Sequence, residues 1–204
     1  MKGKFITFEG SEGCGKSTQS KMLAAYLKKN GLSVVYVREP GGTRISEKIR
    51  SILLDTKNDR MAQESEMLLY MAARAQIVKE IILPALKKGK IVISDRFLDS
   101  TLAYQGYGLG MDLDFIRQVG KFVSLGIKPG LTIFLDLPVK KGLKHRKFCE
   151  DRIEKRSLDY HGRVRQGYLK LARLEPARIK VVSVEQEKAK TQSKIRELVE
   201  KYVI

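Results

Sequence analysis

The sequence predicts an α/β fold built on a five-stranded parallel sheet, and three observations carry that expectation. Five short apolar, β-branched runs, KFITFE, LSVVYV (32–37), KIVISD (90–95), GLTIFLDL (130–137) and RIKVVSV (178–184), alternate with longer helical patterns, as strand–crossover–strand units do. KIVISD is apolar without strict alternation, the pattern of a strand covered on both faces. A glycine-rich stretch, GSEGCGKST, stands between the first strand and a helical pattern. With 204 residues and no Pro/Gly/Ser-rich linker, internal repeat or low-complexity segment, the chain reads as one domain over 1–204.

In an open parallel sheet the ligand sits beyond the carboxyl ends of the strands, so each post-strand segment is a candidate. After the first strand, Gly10, Gly15, Lys16 and Ser17 fit G-x-x-x-x-G-K-[ST] in a strand–loop–helix context. Glycines let successive N–H groups turn inward, the helix adds its positive end, Lys16 reaches the β- and γ-phosphates, and Ser17 offers an oxygen to Mg²⁺. A plain glycine turn has no need of Lys-Ser here. The expected ATP cradle is therefore Gly10, Ser11, Glu12, Gly13, Cys14, Gly15, Lys16, Ser17 and Thr18.

The second strand ends in REPGGT, which carries Arg38. The pattern over 65–88, SEMLLYMAARAQIVKEIILPALKK, predicts the longest helix, kinked or broken near Pro84. A further acid for the metal is expected at the end of a buried strand, and both Asp95 in IVISD and Asp136 in TIFLD qualify. Asp95 is favoured because Arg96 follows it, setting a carboxylate for the metal beside a guanidinium for phosphate. Arg38, Arg74 and Arg96 are placed where a second phosphate would be held, which points to a kinase. No N-K-x-D follows a strand, against a GTPase switch, and the chain is short for a motor. The basic run HRKFCEDRIEKR (145–156) reads equally as a closing phosphate clamp and as an exposed, internally paired helix surface.

Composition narrows the partners. Forty Lys+Arg against 23 Asp+Glu give a formal +17, so an anionic ligand is expected. The basic residues are scattered, without one tract or an RNA-binding aromatic signature, so no specific nucleic acid is expected. No apolar run approaches the ~18 residues of a membrane span, and MKGKFITFEG meets Glu9 before a signal-peptide core forms. Cys14 and Cys149 have neither disulfide-framework nor metal spacing. A soluble, cytoplasmic protein with reduced thiols is the expectation.

Taken together, FEGSEGCGKST, REPGGT, AARAQ, DRFLDSTLAYQG and DRIEKRSLDYHGRVRQGYLKLA resemble the bacterial thymidylate kinase family, from Phe5 to about Ala172. The resemblance implies a P-loop kinase fold with helices on both sheet faces and a short lid at about 145–156. It further implies Mg²⁺-assisted transfer of the ATP γ-phosphoryl to dTMP, in dTTP biosynthesis, by a homodimer packed through helices. By similarity, Arg38 and Arg96 grip the acceptor phosphate, Tyr70 stacks on thymine, and Arg74, four residues on and on the same helical face, bonds a thymine carbonyl. Ser100 and Gln105 add polar contacts, Tyr104 lies under the deoxyribose, and Glu12 sits near sugar and metal. The family usually carries Phe at position 70. Gly13 stands where some members place Arg, so the catalytic arginine is expected from the lid, Arg152 first and Arg146 second. VVSVEQEKAKT lacks the family's aspartate after the last strand, so no adenine contact is assigned. A kinase of another nucleoside monophosphate, and an ATP-switched nucleic-acid-binding P-loop protein, are the alternatives.

Overall fold

A computed structural model describes residues 3–144 and 151–203. The five expected strands form at the expected places: β1 (Lys4–Glu9), β2 (Val34–Arg38), β3 (Ile91–Asp95), β4 (Leu131–Asp136) and β5 (Ile179–Ser183). They pair in parallel in the order β2-β3-β1-β4-β5. The chain leaves β1 toward one edge for β2 and β3, then crosses back for β4 and β5, so β1 ends at the switch point where such sheets bind ligands.

Both sheet faces are covered. On one, α1 (Lys16–Lys29) and α9 (Lys188–Val203) pack Leu23, Leu27, Ile195 and Val199 against Ile6, Phe8, Ile93 and Ile133. On the other, Phe5 and Val92 meet Ile77, Val78 and Ile82, while Phe134 stacks on Tyr168 of α8 (Leu158–Leu174). Phe5 and Ile6 thus go to opposite layers, as the two-residue strand period requires. Each such side chain contributes ~1.5–3 kcal/mol on leaving water.

The long helical pattern is one continuous rod with a defect. α3 (Gln63–Ile77) passes through a π-helical turn, Val78–Ile82, into α4 (Leu83–Lys87). Pro84 has no N–H, and its ring crowds the carbonyl four residues back; the wide turn just upstream takes up that mismatch instead of a break. The remaining helices are α2 (Arg44–Leu54), α5 (Leu98–Thr101), which runs into a π-helical segment Leu102–Gly108, α6 (Leu113–Val123) and α7 (Val139–Lys144). No described helix is long and apolar enough to cross a membrane.

Candidate active site

The strand register sets Phe8 beside Asp95 and Asp95 beside Arg38, so β1, β2 and β3 deliver their last residues to one rim. Above that rim lies a cleft of about 790 Å³, bordered by residues 12–18 of the glycine-rich loop and by Arg38, Tyr70, Arg74, Asp95, Arg96, Ser100, Tyr104 and Gln105.

The loop half is made largely of backbone. Gly13 (φ 70°) and Gly15 (φ 86°) lie in the left-handed region that only glycine enters freely. Gly13 also has no room for a side chain, since a Cβ there would come within 1.9 Å of the Gly142 carbonyl oxygen on α7. The absence of an arginine at position 13 is thereby explained sterically. Lys16 folds back over the loop, its Nζ donating to the Ser11 carbonyl at 2.8 Å. Ser17 Oγ donates to Asp95 Oδ2 at 2.5 Å, so the two expected metal oxygens are adjacent. Asp136 instead takes Arg165 Nε and Nη2 at 2.7 and 2.9 Å, a fork-to-fork pair to α8 outside the cleft lining. Cys14 is buried in the core beneath the loop, and that burial pushes its thiol up.

The facing half is made of side chains held by carboxylates. Arg96, at φ 74°, lies 4.9 Å over the Tyr104 ring and reaches Glu12 Oε1 at 2.6 Å; Tyr104 OH donates to the same oxygen at 2.6 Å. Burial works to raise the Glu12 pKa, but Arg96, Lys16 and the Tyr104 hydroxyl outweigh it and hold it at about 2. Beneath them, fully buried Glu9 accepts from the Phe97 N–H (2.8 Å), Ser100 Oγ (2.5 Å) and Tyr168 OH (2.8 Å), fixing the turn that carries Arg96. Burial, then the charge of Asp99, lifts Glu9 to about 7 against those bonds and Arg96.

Arg74 is buried, its Nε bonded to Glu39 Oε2 at 2.8 Å, Nη1 to Thr101 Oγ1 at 3.0 Å and Nη2 to the Phe97 carbonyl at 2.9 Å. Gln105 Nε2 donates to buried Glu66 at 2.8 Å. Arg38 is more exposed and chelated by Glu47 at 2.9 and 3.0 Å. Tyr70 lines the cleft, and burial followed by the nearby Glu66 charge raises its pKa, so it stays a neutral phenol.

Arg152, the first of the two expected lid arginines, is not brought to the loop. Arg152 lies 2.6 Å from Glu66 Oε2, donates through Nε to the Leu53 carbonyl at 3.0 Å, and is not among the residues lining the cleft. Arg146 lies outside the described residues, as do Cys149 and the rest of 145–150. Sequence reasoning missed Glu9, Glu39 and Glu66. Glu9 and Glu39 adjoin the FEG and REP segments, so their place at strand ends was an available signal. Glu66 was visible only as an acid on the buried face of a helix, with Met67 and Met71 around it. It also missed Arg50, and Glu185, Gln186, Lys188 and Thr191, which border the cleft beyond β5 where no nucleotide contact had been assigned.

Comparison with known proteins gives one family. The family model for thymidylate kinase matches residues 8–195. A thymidylate kinase of Thermoanaerobacter sp. (strain X514) is 47% identical over 204 residues, covering 100% of both chains. One from Kosmotoga olearia is 50% identical over 180 residues, 87% of this chain and 86% of that one. The crystal structure of thymidylate kinase from Ehrlichia chaffeensis superposes with a TM-score of 0.79 at 33% identity, covering 97% and 98% of the two chains.

Proposed function

The chain belongs to the thymidylate kinase family, and from that premise we propose how its cleft performs the reaction. The enzyme phosphorylates dTMP to dTDP with ATP as donor. The alternatives, another monophosphate kinase or a nucleic-acid switch, are not favoured.

ATP lies along residues 10–18, its β- and γ-phosphates meeting inward N–H groups and the Lys16 ammonium. The dTMP phosphate is gripped by Arg38 and Arg96, its deoxyribose lies on Tyr104 near Glu12, and its base stacks on Tyr70 within reach of Arg74, Ser100 and Gln105. A dTMP phosphate oxygen attacks the γ-phosphorus in line while the bond to the ADP oxygen breaks. No side chain acts as nucleophile. What the protein supplies is alignment and fixed positive charge where charge develops.

Nucleotide kinases generally use Mg²⁺ with ATP. Adjacent Ser17 and Asp95 fit that ion, which takes one or two protein oxygens together with phosphates and waters. We assign it to them. When bound, Mg²⁺ offsets phosphate charge; Asp95 and Ser17 hold it, and Lys16 and Arg96 supply the neighbouring cations. For the lid, Arg152 and Arg146 remain the proposed arginines, and Arg152 would have to leave Glu66 to reach a phosphoryl group.

The observation that best supports this reading is the 2.6 Å contact between Glu12 of the loop and Arg96 of the DRF segment, which joins the donor and acceptor sequences at one point. We further propose a cytoplasmic homodimer. Leu68 of α3 and Phe115 and Phe122 of α6 are exposed, Phe122 to 80%, on helices that pack together, a patch suited to a second copy.

The test is coupled ADP release across dTMP, dUMP, dCMP, dGMP, dAMP and UMP, with and without EDTA. Turnover is expected to be highest on dTMP and to vanish with EDTA until Mg²⁺ is restored. A different preferred base overturns the substrate assignment.

A further inference from the structure

The wall that faces the proposed base subsite offers its hydrogen-bonding groups with a fixed sign. Arg74 can only donate. It cannot turn away, because Glu39, Thr101 and the Phe97 carbonyl hold its three nitrogens. Gln105 is different in kind: a carboxamide presents an oxygen or a nitrogen after a half-turn, and the two are nearly equal in size. Here the half-turn is blocked. Glu66, fully buried, faces the guanidiniums of Arg152 and Arg156 at 2.6 Å each through Oε2 and offers Oε1 to Gln105 at 2.8 Å. A carboxylate so placed only accepts, so the Gln105 nitrogen must point at it and the amide oxygen is left for the cleft, which Gln105 lines. Turning the amide over would press oxygen against carboxylate oxygen in a buried place.

We propose that Glu66 acting through Gln105, and Glu39 acting through Arg74, set the donor–acceptor polarity of the base-reading wall. One wall then presents a donor and an acceptor. That pair matches a pyrimidine with a 4-oxo group and a protonated N3. A cytosine edge, with a 4-amino donor and a bare N3, meets both groups with the wrong sign. A site built to hydrogen-bond such an edge rejects the reversed one strongly, because its own buried groups go unpaired. The methyl at C5 plays no part in this reading, so uracil is matched as well as thymine on this edge. Glu66 is a positioning residue, since it acts on the base only through Gln105. The inference rests on the proposed placement of Arg74 and Gln105 at the base.

The experiment measures kcat/KM for dTMP, dUMP and dCMP in the wild type and in Glu66→Gln. The carboxamide introduced at position 66 can either donate or accept, so the Gln105 amide is free to turn. The preference for dTMP over dCMP is expected to fall at least about tenfold, while the dTMP to dUMP ratio stays within about twofold. Any loosening of Arg152 and Arg156 affects all three substrates and cancels in the ratios. If the three values fall by one common factor, Glu66 only anchors the segment carrying those arginines and the proposal fails. Should Glu66→Gln not fold, the double variant Glu66→Gln/Gln105→Glu keeps one carboxylate in the network and an acceptor-only group at position 105. It is expected to retain the preference for dTMP over dCMP; loss of that preference overturns the proposal. A wild type that prefers a base other than thymine or uracil instead overturns the base placement itself, separately from the role of Glu66.

Discussion

The proposed donor and acceptor halves of the cleft face the same problem, holding phosphate and its partners in place, and are built from different materials. On the proposed donor side nine consecutive residues, 10–18, form the cradle, and its main-chain N–H groups take their direction from glycine dihedrals. On the acceptor side the polar groups come from α3, the β3 exit, α5 and the π-helical segment after it, and each is aimed by a carboxylate distant in sequence: Glu12 of the loop for Arg96, and the buried Glu9 for Ser100, Glu39 for Arg74 and Glu66 for Gln105. Local backbone geometry can be encoded in a short word. Long-range pairing cannot, because its partners lie 35 to 91 residues from the groups they orient, Arg74 at the near end and Ser100 at the far end. Truncating one member of a buried pair strands a charge and costs on the order of 3–5 kcal/mol, so the acceptor half ties binding to stability in a way that the donor half does not.

The largest effect is expected on the donor side. Lys16→Ala removes a cation whose hydrogen bonds, among the described residues, stay within its own loop, to the Ser11 carbonyl and the Cys14 sulfur. kcat should fall by about 10³ or more, roughly 4 kcal/mol of transition-state stabilisation, with the melting temperature nearly unchanged. Steady-state kinetics beside a thermal melt decides it. A large loss of stability would erase the contrast between the halves, and near-normal kcat would remove the phosphate assignment.

That contrast also marks what was legible in the sequence. The strands could be read to within a residue or two because each is an apolar, β-branched run, most plainly the fully buried central strand β3, which spans Ile91–Asp95 within the expected 90–95. Lys16, Ser17 and Asp95 could be read because a loop motif and a strand end fix their neighbours by chain connectivity. Choosing Asp95 over Asp136 rested on the adjacent Arg96, and the ion pair of Asp136 with Arg165 gives that acid a separate employment. Glu66 could not be read, since a glutamate among methionines on a helix shows its meaning only when Gln105, Arg152 and Arg156 arrive from 39, 86 and 90 residues away. Arg152 was chosen from its place in DRIE, and nothing in that word discloses a buried acid waiting for it.

Arg152→Lys sharpens the comparison at an intermediate scale. The guanidinium meets Glu66 and the Leu53 carbonyl together, and a lysine ammonium can serve only one of them well. If Arg152 keeps its observed seat throughout turnover, contrary to its proposed lid role, Arg152→Lys costs about 1–2 kcal/mol in stability and raises KM for dTMP, with kcat within about twofold. Melting curves and separate ATP and dTMP affinities test this. A fall in kcat of at least about tenfold without loss of stability would instead mean that Arg152 leaves Glu66 to meet the transferring phosphoryl, as its motif suggested.

The smallest effect is expected where the loop meets α7, the helix that leads into the proposed lid. α7 rests on the glycine-rich loop through backbone alone: a Cβ on Gly142 would lie 2.3 Å from the Glu12 carbonyl oxygen, and one on Gly13 would lie 1.9 Å from the Gly142 carbonyl oxygen. Gly142 has no left-handed φ to relax, and alanine is the better helix former by about 1 kcal/mol, so Gly142→Ala isolates the clash from backbone strain. Either α7 or the loop must then shift. If the loop gives way, its N–H groups leave their alignment, and KM for ATP should rise about three- to tenfold while KM for dTMP changes less, because Ser100, Arg74 and Gln105 hang on Glu9, Glu39 and Glu66 and only Arg96 hangs on Glu12 of the loop. If α7 gives way, ATP binding is spared and kcat falls through the displaced lid. Gly13→Ala, which adds the cost of φ 70° to a closer contact, should exceed Gly142→Ala on the ATP side under the first outcome. Separate KM values for the two substrates in the two variants distinguish these cases, and unchanged kinetics in Gly142→Ala would mean that the seat between α7 and the loop has no part in how either half binds.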